Sequence, residues 1–586
     1  MDEEKRNMFL FFAISMAIML GYSYFFEKPT PAPVTVSTSV VDNSAANAPV
    51  SAQKSEAAGK NMLSSNESAH DDEPVHEIAI DTPSIGGILS SCGLKIDHIL
   101  LKNYENDSKC APDSKKSTSD PEKSTKVSIF GEQKNAYYSA VGLYSDDKSV
   151  LLPDENTHWK TDAQTLSENS PIVLTWDNKN GLLFEKHISI DSNYVITVVD
   201  KVKNYGDRAV TLRSRTLIHR EFAKPSDSTM TFYEGPLGYL DGKLKEISYE
   251  DISKAGQIKH NTKGGWFGIT DKYWLVAFIP DQNVDCDVSY RHSVRDNTKI
   301  YEVESLGNAI QVAPSSEISL TNNLFVGAKE IKTLDLYEEK LGVKHFDLAI
   351  DFGCLYIMTK PLLYSLAFAK DILGNMGLGI LLITLLIKLL LLPFAHKSYK
   401  SMNRLKEIQP KIQYLQKKYA DDKVKLGQEV SELYKKEKIN PMGGCLPSLI
   451  QSPVLFALYK VLYISIEMRH APFIWWIKDL SLPDPLSLFN LFGLIPITLP
   501  TFLQIGIWPL LMGLSMLLQQ KMGPKPTDPA QASMTLILPL VFTFMFAQLP
   551  SGLVIYWTFS NILSILQQYY VNKHCVVSSE KKEEKQ

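Results

Sequence analysis

Residues 376–394, MGLGILLITLLIKLLLLPF, carry a single charge, Lys388, in a run otherwise apolar and long enough to cross a bilayer. A lysine near the middle of a membrane helix costs about 2.5 to 3.5 kcal/mol on insertion scales, so it demands a water-filled cavity or a polar partner. Thr384 lies four residues earlier, on the same helix face. A competing reading has Lys388 extend its stem to the inner interface. Four further runs have the same length and character, at about 446–466, 502–518, 533–549 and 553–570, and a sixth, 8–26, lies near the amino end behind Lys5 and Arg6.

Charge between the runs sets their direction. The net charge of -4 is nearly neutral, yet Lys and Arg crowd into 396–442 and are scarce over 467–502. With the amino end inside, the basic segment, the loop with Lys521 and Lys525 and the tail with Lys581, Lys582 and Lys585 all fall inside, as positive residues should. The segment 346–371 is apolar but holds Asp347, Asp351, Lys360 and Pro361, and counting it as a span would invert the basic segment. It is expected to lie along the interface as an amphipathic helix.

The chain therefore divides into a transmembrane signal anchor (1–28), a Ser/Ala/Pro-rich tether (29–75), a domain of alternating strands (76–345), the interfacial helix (346–371), a helical membrane core (372–572) containing a basic hairpin (396–442), and a charged tail (573–586). A cleaved signal peptide is the alternative to the anchor. Runs such as YVITVVDKV from Tyr194 predict a large antiparallel β-sandwich outside the cytoplasm. Its acidic residues and His219 could be imagined as a sugar site, against a scaffold with solvated charges. The sequence assigns the extended stretch 486–506 no role.

Several chemistries lack their signatures. The six cysteines (Cys92, Cys110, Cys286, Cys354, Cys445, Cys575) show no CxxC spacing, and there is no HExxH, no GxxxxGK[ST] loop and no GxSxG elbow. No metal, cofactor, nucleotide coupling or DNA partner is expected. Gln451 and Ser452, Ser515 and Gln519, and Tyr556, Trp557, Ser560, Asn561, Ser564 and Gln567 make the other spans unusually polar, as a shared wet cavity or hydrogen-bonded helix packing would require. In the basic segment, Leu405, Ile408, Ile412, Leu415 and Tyr419, then Leu426, Val430, Leu433 and Tyr434, recur at three- and four-residue spacings and predict a helical hairpin. Its cations suit anionic lipid headgroups or RNA phosphates.

The stretches DFGCLYIMTKPLL from Asp351, GNMGLGILLITLLIKLLLLP from Gly374, LYKKEKINPMGGCLPSLIQSPVLFALY from Leu433, APFIWWIKDLSLPDP from Ala471 and PSGLVIYWTFSN from Pro550 resemble the YidC family of membrane protein insertases. The resemblance runs through the membrane core and extends to the whole plan of the Gram-negative members. It implies an α-helical polytopic core of five helices plus the anchor, a mutarotase-like periplasmic sandwich, and an inner-membrane protein with both ends in the cytoplasm. It further implies an insertase and chaperone, with no covalent catalytic step, that helps integral membrane proteins insert and fold, alone or with the Sec translocon. A hydrophilic groove open to cytoplasm and lipid would hold the nascent chain. Lys388 stands where many bacterial members carry arginine, so the charge is kept but the bidentate fork is lost. The groove contacts implied are Lys388, Thr384, Gln451, Ser452, Tyr556, Trp557 and Asn561. Lys397, Lys400, Arg404, Lys406, Lys411, Lys417 and Lys418 on the hairpin would engage ribosome, client or anionic lipid.

Transporter and carbohydrate- or lipid-modifying readings remain as alternatives. The first would need an internal repeat and an intramembrane carboxylate, and the second a His/carboxylate site in the sandwich.

Overall fold

A computed structural model describes residues 76–106, 126–130, 136–222, 232–353, 355–420, 422–437, 446–490, 504–523 and 529–583. The anchor, the tether, Cys110 and most of 486–506 lie outside them.

The strands β1 (Glu77–Asp81), β2 (Ile85–Ser90), β3 (His98–Glu105), β4 (Lys126–Ser128), β5 (Tyr137–Tyr144), β6 (Thr165–Leu166), β7 (Ile172–Asp177), β8 (Leu182–Ile190), β9 (Val195–Asn204), β10 (Val210–Phe222), β11 (Gly235–Leu240), β12 (Lys243–Glu246), β13 (Gln257–Lys263), β14 (Trp266–Thr270), β15 (Trp274–Pro280), β16 (Asp285–Arg295), β17 (Thr298–Gly307), β18 (Ile310–Val312) and β19 (Ser316–Ala328) form three sheets. The largest has the order β12-β11-β14-β15-β19-β9-β8-β7; a second runs β13-β16-β17-β10-β18 with β5 paired to β10; the third is β4-β3-β2-β1-β6. Pairing is antiparallel throughout except β1 with β6. Strands expected from alternation are found at β9 (Val195–Asn204), β10 (Val210–Phe222) and β19. Alternation fails in β14 (Trp266–Thr270), whose five residues are all buried. One face meets the core, and on the other Trp266 packs edge-on against Phe346, beside the helix α2 described below.

Two charges sit at inward-facing positions. Lys186 on β8 (Leu182–Ile190) and Asp200 on β9 are direct cross-strand neighbours, both 3% exposed, with Nζ 2.5 Å from Oδ1. Lys186 also donates to the Val141 carbonyl on β5 (Tyr137–Tyr144) at 2.9 Å, tying the two larger sheets together. Cys286 is buried and unpaired, and burial pushes its thiol up to about 12; Cys92 is also unpaired. Neither is in a disulfide.

Lys329, at the end of β19, is 6% exposed and donates to the Thr270 hydroxyl at 2.9 Å. Burial pushes its ammonium down to about 8. An unfolded lysine titrates near ~10.4. Between these values the unfolded chain holds more protons, so stability should rise with pH from about 8 to ~10.4. Lys329→Met is expected to remove that slope and to stabilise the domain at neutral pH by about 3 kcal/mol, at ~1.4 kcal/mol per pH unit. Thermal unfolding of the full chain in detergent, followed by circular dichroism across this range, checks it; a variant that melts below wild type and keeps the slope refutes it.

The short helix α1 (Tyr249–Ala255) is capped by the Ser248 hydroxyl. Helix α2 (Ile331–Leu341) lies on the large sheet through Ile331, Leu334 and Tyr337, and a 3-10 turn over Phe346–Ala349 leads to α3 (Tyr356–Leu373). Beyond it come α4 (Met376–Leu390), α5 (Leu392–Lys418), α6 (Lys423–Lys436), α7 (Leu446–Ile464), α8 (Ile507–Met522), α9 (Pro529–Phe546) and α10 (Ser551–Glu583). Every run expected to span, beyond the first, carries a helix.

Two details differ from expectation. The run 376–394 is not one helix: α4 ends at Leu390 and meets α5 at 64°, because Pro393 lacks the N–H that would continue the ladder and instead opens a new helix. Its 15 residues rise only about 22 Å. Among the described residues no single helix is long and apolar enough to cross a membrane, while the bent pair α4 and α5 passes that test together. The tail expected from 573 continues α10 without a break to Glu583.

Helix α3 buries Leu363, Leu366 and Ala367 and turns Ile357, Phe368 and Ile372 outward, a stripe of one face. Helix α9 exposes Leu536, Ile537, Leu540, Val541 and Phe544, and α4 exposes Leu386, Leu389 and Leu390. So wide an apolar belt would not be stable against water.

Candidate functional site

Lys388 lies in the last turn of α4, where the chain approaches α7 and α10. Its Nζ donates to Gln451 Oε1 on α7 at 2.8 Å and to Ser564 Oγ on α10 at 2.7 Å. Gln451 Nε2 donates to Ser560 Oγ at 2.5 Å, and Ser564 Oγ donates to the Ser560 carbonyl at 2.9 Å. The lysine is 8% exposed, and no carboxylate lies within salt-bridge distance of it among the described residues. Three helices thus converge on one ammonium held only by neutral oxygens, a polar seam in an apolar bundle.

The seam borders a small cavity of about 10 Å³, room for about one water molecule, lined by Thr384, Ile387, Lys388, Leu391, Gln451, Val454, Tyr556 and Ser560. Thr384 turns its hydroxyl back to the Ile380 carbonyl at 2.6 Å, leaving the cavity its methyl and an oxygen able only to accept. Gln567 reaches the Lys388 carbonyl at 3.4 Å.

The other expected groove residues divide. Tyr556 lines the cavity, but Trp557, rotated by about 100° on the same helix, packs on α9 with ring centroids 4.6 Å from Phe546 and 5.8 Å from Phe542. Asn561 donates to Ser515 Oγ at 2.9 Å and joins α10 to α8 instead of facing the cavity. Ser452 is half-buried, next to Gln451 but outside the lining. One contributor had no signal in the sequence: Tyr399, buried on α5, brings its hydroxyl within hydrogen-bonding reach of Ser564.

The hairpin forms as its spacing predicts. Ile408 and Ile412 on α5 are buried against Val430, Leu433 and Tyr434 of α6, with Leu405 alongside. Lys397, Lys400, Arg404, Lys411, Lys417 and Lys418 are exposed. Lys411 pairs with Glu437 at 2.7 Å, and Lys418 sits over the Tyr419 ring at 5.2 Å. Lys406 is the exception: half-buried, it donates to the Met522 carbonyl at the end of α8, which Gln568 also caps at 2.9 Å.

At the opposite end of the bundle the sheets are fastened to the helices. Asp351 Oδ2 accepts from Lys460 Nζ at 2.7 Å and from the Tyr233 backbone at 3.0 Å, Arg469 donates to the Glu105 carbonyl at 2.6 Å, and Lys332 pairs with Asp371 at 2.5 Å. Lys460 on α7 therefore ends on a carboxylate of the joint. In the β domain, His219 has Nδ1 3.1 Å from Glu302 and Nε2 3.4 Å from Glu221, with Tyr138 stacked on it at 4.7 Å.

The sequence matches the family described as 60Kd inner membrane protein over residues 368–579 and the YidC periplasmic domain over residues 77–365. A "membrane protein insertase YidC" of Rickettsia massiliae is 40% identical over 570 residues, 96% of this chain and 97% of its own length. That of Rickettsia bellii is 44% identical over 499 residues, 85% and 87% of the two chains. Among solved structures, an active YidC insertase crystal structure covers 85% of this chain and 93% of its own at 16% identity, with a TM-score of 0.35. A galactose mutarotase related enzyme from Lactobacillus acidophilus covers 43% of this chain and 97% of its own at 12% identity, with a TM-score of 0.28. The family matches and the relatives carry the assignment.

Proposed function

This chain belongs to the YidC family of membrane protein insertases and inserts proteins into the membrane, and we propose that it does so through the polar seam around Lys388. The observation that supports this is the buried ammonium held by Gln451 and Ser564 with no opposing charge at hand among the described residues. Such a seam is closed but exchangeable. Each of its hydrogen bonds to a neutral side chain can be traded for one to a client's polar backbone or carboxylate, so parting α4, α7 and α10 need leave no buried polar group unmet. A hydrophilic loop crossing hydrocarbon alone would lose its water without that compensation. Burial of the client's own apolar span supplies the driving force. No covalent step and no nucleotide enter this scheme.

In the same reading α4, α7, α8, α9 and α10, with the anchor, span the inner membrane; α3 lies along its outer surface with Ile357, Phe368 and Ile372 in lipid; and both chain ends are cytoplasmic. The exposed cations of the hairpin face ribosome, nascent chain or anionic headgroups. The periplasmic sheets, fastened through Asp351 and Lys460, present a surface to the Sec translocon. A carbohydrate reading has one observation behind it, the His219, Glu302 and Glu221 cluster. With both ring nitrogens engaged and one face under Tyr138, the histidine fits a structural cross-link better.

The test is insertion of a small client with a short acidic translocated loop into liposomes containing only this protein, with protease protection as readout. Protection well above that of empty liposomes is expected without nucleotide. Protection equal to empty liposomes for every client tried would sink autonomous insertion.

A further inference from the structure

Among the described residues the chain passes from the sheets to the helices through α2, the Phe346–Ala349 turn and α3, and three potential metal ligands meet there. A carboxylate oxygen of Glu338, a ring nitrogen of His345 and a carboxylate oxygen of Asp347 all lie within 4.8 Å of one another. Two left-handed residues, Gly342 with φ 64° and His345 with φ 55°, fold the chain back after α2 and bring His345 beside Glu338. A second observation concerns Asp347 alone. Its residue is 0% exposed, and its Oδ2 accepts from Lys360 Nζ at 2.7 Å and Tyr356 OH at 3.0 Å, while its Oδ1 is buried with no hydrogen-bond partner. A buried carboxylate oxygen without a donor is costly and rare in folded proteins.

We propose that Glu338, His345 and the free Oδ1 of Asp347 form a binding site for a divalent transition metal ion, with Zn²⁺ the best chemical match. One imidazole and two carboxylates suit zinc or its neighbours in the first transition row, whereas Ca²⁺ and Mg²⁺ prefer oxygen alone. In a tetrahedral site with bonds of about 2.1 Å, ligand atoms stand roughly 3.4 Å apart. The present separations, all within 4.8 Å, are close to that spacing, and Glu338 is already held beside His345 by accepting its backbone N–H at 3.2 Å. The exposed side leaves a path for the ion and room for a water as fourth ligand. Lys360 already neutralises one of the two carboxylate charges, so the site binds a dication with one net negative charge and is of moderate affinity, loading only when the metal is present. The bound ion would cross-link the end of α2 to the turn that leads into α3, and so stiffen the joint between the sheets and the membrane helices.

The experiment is Co²⁺ binding to the full-length protein in detergent micelles, read by its visible absorption and by displacement with Zn²⁺, for wild type, His345→Gln, Glu338→Gln and the double variant. Both substituted side chains reach solvent, so folding is retained and is checked by circular dichroism. Wild type is expected to show one displaceable Co²⁺ with a bound-ligand spectrum, each single variant to lose at least tenfold in affinity, and thermal unfolding of wild type alone to shift upward with Zn²⁺. Binding unchanged in the double variant, which would place the metal on other histidines, overturns the proposal, as does an absence of displaceable Co²⁺ in wild type.

Discussion

Lys388→Glu is expected to bring insertion of a client with an acidic loop down to the level of empty liposomes, while Lys388→Arg retains it and Lys388→Gln keeps it within a few-fold. The seam explains the order. Glutamine keeps a neutral N–H donor for Gln451 Oε1 and Ser564 Oγ, one methylene shorter than the ammonium, so part of the hydrogen bonding survives while the long-range attraction is lost. Glutamate reverses the sign. Two unit charges about 4 Å apart in a medium of effective dielectric near 20 interact by about 4 kcal/mol. At ~1.4 kcal/mol per tenfold, turning that attraction into repulsion exceeds a hundredfold. With a client whose loop is neutral, the gap between Gln and Glu should shrink to the cost of the buried charge itself. Equal insertion of the acidic client by wild type and Lys388→Glu would show that the ammonium does not meet the translocated loop.

Asp200→Ala is expected to destabilise the β domain by about 3 to 5 kcal/mol, because it leaves the Lys186 ammonium buried between the sheets with only the Val141 carbonyl and the face of Trp159 for company. For a domain of this size roughly 2 to 4 °C of melting temperature accompanies each kcal/mol, so a fall of about 10 °C should be visible in calorimetry. Replacing both members, Lys186→Met with Asp200→Leu, should recover most of the loss, since an apolar pair of similar volume removes the desolvation penalty together with the attraction. Autonomous insertion should survive Asp200→Ala, because the seam is built from α4, α5, α7 and α10 and no strand contributes to it. Loss of insertion in step with the melting temperature would instead make the sheets part of the insertion machinery.

What could be read in the sequence follows from which interactions are periodic. β9, β10 and the first half of β19 were legible because one face of each is more buried than the other, and α7 to α10 because their apolar runs are long. The break at Leu391 was less so: Pro393 stands in an unbroken apolar run and, without its neighbours, reads as a kink as easily as a new helix. Within the seam, Thr384, Lys388 and Gln451 announced themselves as polar residues in hydrocarbon. Tyr556 and Trp557 could not be separated, since a tyrosine and a tryptophan suit either a cavity or a lipid-facing belt and only the rotation of α10 decides. Tyr399 was invisible because it belongs to the hairpin helix by sequence and to the seam by contact. Glu338, His345 and Asp347 come from a helix end, a left-handed loop residue and a 3-10 turn, so no spacing rule finds them. The ties Lys460 to Asp351 and Arg469 to Glu105 pair residues far apart in the chain, which a single sequence does not display.

The bend at Leu391 makes the hairpin a lever. Helix α5 extends 27 residues, about 40 Å, from a fulcrum three residues beyond Lys388. Tyr399 sits near that fulcrum and Lys406 anchors the arm to the end of α8, while the basic tip projects well past both. A rotation of the arm that moves its tip by a nucleotide's width shifts Tyr399 by only a fraction of that distance, enough to break a hydrogen bond to Ser564 and little else. Torque applied by a large particle docked at the tip would therefore reach the Lys388 seam as a small, strong displacement, with the mechanical advantage running from the tip of the hairpin toward the lock.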